Sequence, residues 1–142
     1  MTDRTNADYA ATLLRVSLGV MYLAHGLMKL LVFGPAGTAG FFESVGLPGL
    51  LGHATMWAEI LGGLALIAGI GSRYVSAALI PALIGSIVFV HGSAGWVFSA
   101  PGGGWEYPLF LIAASLVQIL LGDGAYALRP GKAEPARTPA LA

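Results

Sequence analysis

Residues 13–32, LLRVSLGVMYLAHGLMKLLV, are almost entirely apolar yet carry Arg15, His25 and Lys29. Twenty helical residues at 1.5 Å each reach about 30 Å, the thickness of a bilayer's hydrocarbon core. A basic residue at the centre of such a span costs about 2.5–3.5 kcal/mol on insertion scales, while each Leu or Val returns only about 0.3–0.6. The run can bear that cost, but its ionisable groups need partners, and intramembrane charges find them on the interior face of a bundle. The stretch therefore predicts one wall of a polar pocket.

The rest of the chain agrees with a membrane setting. Of 142 residues, 56% are hydrophobic and 10% charged, against about 25% charged in soluble domains. Net charge is zero, which leaves no basic footprint for nucleic acid. Cysteine is absent, which excludes disulfides, thiolate-ligated zinc, iron–sulfur clusters and a thiol relay in this chain. No metal site is expected. Because MTDRTNADYA lacks a basic region leading into a short apolar core, the first span reads as a permanent anchor and not a cleaved signal.

The pattern predicts an all-α, integral membrane four-helix bundle. A polar lead occupies 1–8, a four-helix transmembrane domain 9–124 and a disordered cytoplasmic tail 125–142. Spans are expected at 9–32, 52–70, 74–91 and 105–121, with Pro81 kinking the third. Between the first two, FGPAGTAGFFESVGLPGLLG is too rich in Gly and Pro for one continuous helix and reads as a short amphipathic piece at the interface. GSR at 71–73 is expected to turn the chain. Arg4, Arg15, Arg73, Arg129, Lys132 and Arg137 fall on one side of this arrangement and Lys29 on the other. The excess of basic residues puts both termini in the cytoplasm.

With that topology the polar groups can be compared by depth. His25 and Glu59 each lie about seven residues, roughly 10 Å, from the outer end of their spans. Lys29 is one turn above His25, and Arg15, Gly19, Tyr22 and Gly26 extend the same face inward. His91 closes the third span and Glu106 opens the fourth. His25, Lys29, Glu59, Tyr22, His91, Glu106, Trp57 and Trp105 are the candidates for ligand binding or proton transfer. Each has a plainer role: a His25–Glu59 bond that only locks two helices, a snorkelling Lys29, solvated His91 and Glu106, and an aromatic belt for Trp57, Trp96, Trp105 and Tyr107. Glu59 has the least room for one, being an acid inside an apolar span. LGVMYLAHG at 18–26 also aligns without gaps on IGSIVFVHG at 84–92, which suggests two parallel hairpins.

The order Arg15-x3-Gly19, His25-Gly26-x2-Lys29, Phe41-Phe42-Glu43, Gly46-Leu47-Pro48, Glu59-x2-Gly62-Gly63, Gly71-Ser72-Arg73, Trp105-Glu106-Tyr107-Pro108 and Leu121-Gly122-Asp123-Gly124 resembles the DoxX family. The resemblance implies a small multi-pass protein of the bacterial inner membrane. Its relatives include the DoxD-type subunit of thiosulfate:quinone oxidoreductases. No catalytic residue set carries over with it. The leading expectation is an accessory subunit of a membrane oxidoreductase system, binding a quinone or similar molecule in the outer pocket, alone, as a homo-oligomer or with partner subunits. Three alternatives are a haem b module with His25 and His91 as axial ligands, a small-solute carrier, and a scaffold recruiting a soluble enzyme.

Overall fold

A computed structural model describes residues 4–128 and is all-helical, with no strand among the described residues. The helices are α1 (Asn6–Leu31), α2 (Gly34–Ser44), α3 (Gly49–Ala68), α4 (Ser72–Ser86) and α5 (Glu106–Leu121). A π-helical turn (Ile87–His91) and a 3₁₀ turn (Gly92–Ala94) prolong α4. Residues 6–31, 49–68 and 72–94 supply three helices long and apolar enough to cross a membrane; α5 is shorter.

Local chemistry sets the boundaries. Thr5 caps α1: its hydroxyl accepts from the Asp8 amide, and the Asp8 carboxylate accepts from the Thr5 amide. This reciprocal box starts the helix at Asn6, three residues ahead of the span expected from hydropathy and inside the polar lead. In the first connection, Pro35 opens α2, Gly46 at φ 85° interrupts the chain, and α3 begins at Gly49, ahead of the expected position 52. Thr38 on α2 donates to the Lys29 carbonyl at 3.0 Å, and its backbone and Phe42 lie against Gly52. The segment is therefore anchored to both neighbouring helices. The next turn lies at 69–71, not 71–73: Gly69 and Gly71 both take left-handed φ, and Ser72 and Arg73 already belong to α4. Helix α4 runs through Pro81 without a break.

Helix α1 packs on α3 and α5, α3 on α4, and α4 on α5. Leu18, Tyr22, Leu66, Leu79, Leu83 and Leu111 form the core they share. The α1–α3 approach is the closest, because three glycines let the backbones meet. A Cβ on Gly63 would stand 2.6 Å from the Leu23 nitrogen, one on Gly19 2.8 Å from the Gly63 carbonyl oxygen, and one on Gly26 2.9 Å from the Ile60 nitrogen. Outward, Leu13, Leu31, Leu61, Phe110 and Leu120 are each more than 60% exposed. Apolar surface on this scale suits lipid as the surrounding solvent.

The internal repeat suggested by the two His-Gly segments finds no echo in its glycines. Gly85, aligned with Gly19, has open space where a side chain would go, and Gly92, aligned with Gly26, meets only the carbonyl of Ile87 in its own segment.

Residues 125–128, expected to begin a disordered tail, are tied by backbone hydrogen bonds to α1 and α3, with Ala125 buried and Tyr126 and Leu128 exposed. The Ala125 amide donates to the Asp8 carbonyl at 3.0 Å and the Leu128 amide to the Ala68 carbonyl at 3.0 Å. Tyr126 lies beside Tyr9 and beneath the Arg4 guanidinium, 4.0 Å from the ring centre. The remainder of the expected tail, with Arg129, Lys132 and Arg137, lies outside the described residues.

Candidate functional site

Three polar layers lie along one face of α1, at Arg15, Tyr22 and Lys29. Their spacing of seven residues is two turns, or about 10 Å, so they share a face with a small drift. The layers at the two ends reach α3 and the middle one reaches α5.

At one end, Lys29 Nζ stands 2.7 Å from Glu59 Oε2, with both side chains largely buried. The matching depths of Glu59 and His25 predict a bond between them, but the imidazole turns back on its own helix. His25 Nδ1 donates to the Met21 carbonyl at 2.9 Å, one turn earlier. That bond assigns the Nδ1–H tautomer and leaves Nε2 for another partner. The ring stacks on Tyr107 of α5, with centroids 6.3 Å apart and planes at 25°. In the middle layer, Tyr22 is 1% exposed and shares a 3.2 Å hydrogen bond with Ser115 of α5.

The third layer is not among the candidates that sequence reasoning supplies. Arg15, 1% exposed, donates through Nη1 to the Leu66 and Ile67 carbonyls at 2.7 and 2.8 Å, and through Nη2 to the Ala125 carbonyl at 3.3 Å. It thereby caps the C-terminal end of α3, where unsatisfied carbonyls collect. Asp123, which interacts electrostatically with Arg15, accepts from the Ser72 amide at 2.8 Å and so caps the start of α4. The signal for this layer is the arginine inside the apolar run, together with the GDG that ends α5.

His91 and Glu106 fasten the loop between α4 and α5. His91 Nδ1 faces the Gly102 and Gly103 carbonyls at 3.0 and 2.7 Å, and Glu106 Oε1 accepts from the Phe98 amide at 2.7 Å. Trp105 packs edge-on against Trp96, with centroids 4.6 Å apart, while Trp57 is half-exposed. His25 and His91 thus engage different partners, the Met21 carbonyl on one side and the Gly102 and Gly103 carbonyls on the other. No group of three or more metal-ligating side chains occurs among the described residues.

Open space is found away from the glycine-closed α1–α3 seam. An open surface groove of about 770 Å³ is lined by Trp96 and Phe98 of the fastened loop and by Glu106, Tyr107, Leu109, Phe110 and Ala113 of α5. A second, of about 110 Å³, lies between α1 and α5, with Ser17, Met21 and Phe110 among its walls. Phe110 borders both. Along α1, Met21 lines the smaller groove, and His25, one turn on, touches Tyr107 of the larger.

The model of the DoxX family matches residues 10–92, more than half of the chain. A protein of Bacillus subtilis (strain 168) named "Putative oxidoreductase CatD" is 33% identical over 123 residues, covering 87% of each chain. No solved structure matches. Taken with the apolar helices, these matches bear out the resemblance read from the motifs: the chain belongs to the DoxX family of membrane proteins.

Proposed function

We propose that this protein is an accessory subunit of a membrane oxidoreductase system that binds a quinone-type molecule on the face formed by α1, α5 and the loop before α5. The observation that carries this reading is the 770 Å³ groove, which is apolar except at Glu106, Tyr107 and the Trp96 indole. A large apolar cleft with a few polar groups at one end is the common form of a small-molecule site. A quinone ring needs aromatic surface and donors for its carbonyl oxygens; Trp96, Phe98 and Tyr107 offer the first, and the Tyr107 hydroxyl and Trp96 N–H the second. The smaller groove past Phe110 continues the apolar surface, as a prenyl tail requires. The relative named as an oxidoreductase agrees with redox work nearby.

In this reading α1, α3, α4 and α5 are four spans of a bacterial inner-membrane bundle, with both termini in the cytoplasm and the groove toward the outside. At 16 residues, α5 is about 24 Å long, and the loop fastened by His91 and Glu106 supplies the remaining depth. The Lys29–Glu59 pair belongs to the wall behind the site and does not contact the ring.

The test is purification of the full chain in mild detergent, organic extraction and mass spectrometry. A near-stoichiometric quinone is expected from the wild type, with severalfold less from Phe110→Ala. Quinone at the level carried by an unrelated membrane protein would contradict the reading.

A further inference from the structure

The two grooves meet at one side chain. Phe110, 70% exposed, borders both, and α5 runs on from it to Ala114, one turn and about 6 Å away, in the wall of the smaller groove. Ser17 and Met21 of α1 form the other wall, and the buried Leu18 and Leu111 lie deepest. Next to Met21 and Ala114, the Tyr22 and Ser115 hydroxyls share their 3.2 Å hydrogen bond. That bond sets the distance between α1 and α5 at this height, so the smaller groove is a cleft of fixed width. Ser17 and Ala114 keep it open by being small; a leucine at either position would fill it.

Volume and lining select what fits. A cavity of about 150 Å³ holds one benzene molecule. On that scale the smaller groove, about 110 Å³, holds about four or five carbons, which is one isoprenyl unit and not two. Its walls are apolar apart from the Ser17 hydroxyl, which suits a hydrocarbon and offers little to a ring carbonyl. An acyl chain of bulk lipid also meets that requirement, but nothing holds its end here. A tail joined to a ring lying against Phe98 and Tyr107 is held, because the ring fixes where the first unit of the tail begins.

We infer that the smaller groove, entered past Phe110, selects for the tail of the bound molecule: the site prefers a ring bearing one isoprenyl unit to the bare ring and is indifferent to units beyond the first. The inference rests on the quinone reading of the larger groove and specifies the part of the molecule that the ring contacts leave open. Its energetic source is packing. A tail is already out of water in the bilayer, so moving it onto the protein gains no hydrophobic transfer energy. What the groove adds is contact with close-packed walls, where fluid lipid leaves gaps. The preference is therefore severalfold, and it ends where the walls end.

The experiment titrates ubiquinone analogues with no, one or two isoprenyl units into the full chain in lipid nanodiscs. Tryptophan quenching is read against quinone per lipid, so that partitioning into the bilayer cancels. One unit should bind severalfold tighter than none, and the second unit should add little. Ala114→Leu, and independently Ser17→Leu from the opposite wall, should bring the one-unit analogue to the wild type's affinity for the bare ring while helicity is unchanged. Saturable binding of equal affinity for all three analogues would overturn the inference and leave the quinone site standing, as would a one-unit preference that survives both substitutions. Affinity that climbs by the same factor with each added unit would overturn it too, because a groove of this size senses only the first. Saturation by none of the analogues would overturn the inference together with the quinone reading.

Discussion

Lys29 and Glu59, thirty residues apart in sequence, meet at 2.7 Å across α1 and α3, on helices whose backbones touch through glycine. The ion pair and the glycine packing fix the same register. With the helices this close, neither side chain can move far from the other, and water has little access to either.

Breaking the pair by half should therefore cost more than removing it. Lys29→Met leaves the buried Glu59 carboxylate without its cation, at a cost of about 3–5 kcal/mol on the scale of buried pairs. Lys29→Met with Glu59→Met should recover most of that loss. Unfolding in detergent micelles, arranged as a double-mutant cycle, measures the difference.

The glycines differ sharply by position. Gly63→Ala puts a methyl within 2.6 Å of the Leu23 nitrogen, so α1 and α3 must separate; overpacking of this kind costs about 1–3 kcal/mol. Gly85→Ala meets nothing within 4 Å and should stabilise α4 by about 0.5–1 kcal/mol through helix propensity. Thermal melts of the two variants should move in opposite directions.

Arg15 carries the opposite end of the molecule. Arg15→Lys keeps the charge but has no fork to reach the Leu66, Ile67 and Ala125 carbonyls together. Every hydrogen bond from the guanidinium that the lysine fails to replace should cost about 1.5–3 kcal/mol, the range for bonds to a charged group. Hydrogen exchange locates the effect. The amides of Ala125 and Leu128, bonded to Asp8 and Ala68, should lose protection before the core amides of α1 and α3 do.

These residues show how far the chain can be read from its sequence. The face of α1 is legible because helical spacing is rigid: Arg15, Gly19, Tyr22 and Gly26 are aligned by period alone, and all are buried. Matching depths bring Glu59 to α1, but depth does not distinguish a lysine from a histidine one turn away. The Met21 carbonyl decides that by engaging His25 locally. The Arg15 cap and the Asp123 cap depend on where the chain after α5 comes to rest, a meeting of distant segments that no local pattern encodes. The groove is hidden for the same reason, since its walls come from a loop folded back onto α5 by His91 and Glu106. A pocket between the helices bearing His25 and Glu59, as depth alone suggests, conflicts with what Gly19, Gly26 and Gly63 imply: helices that approach so closely leave no room between them.

Trp96 on the groove wall gives the most direct probe of the central claim, because a quinone that enters beside an indole quenches its fluorescence. Titrating a short-chain ubiquinone into the protein in lipid nanodiscs should give saturable quenching that is mostly lost in Trp96→Phe and weakened severalfold in Phe110→Ala. Quenching that rises linearly with quinone, and equally in all three proteins, would mean that the quinone dissolves in lipid without occupying this site.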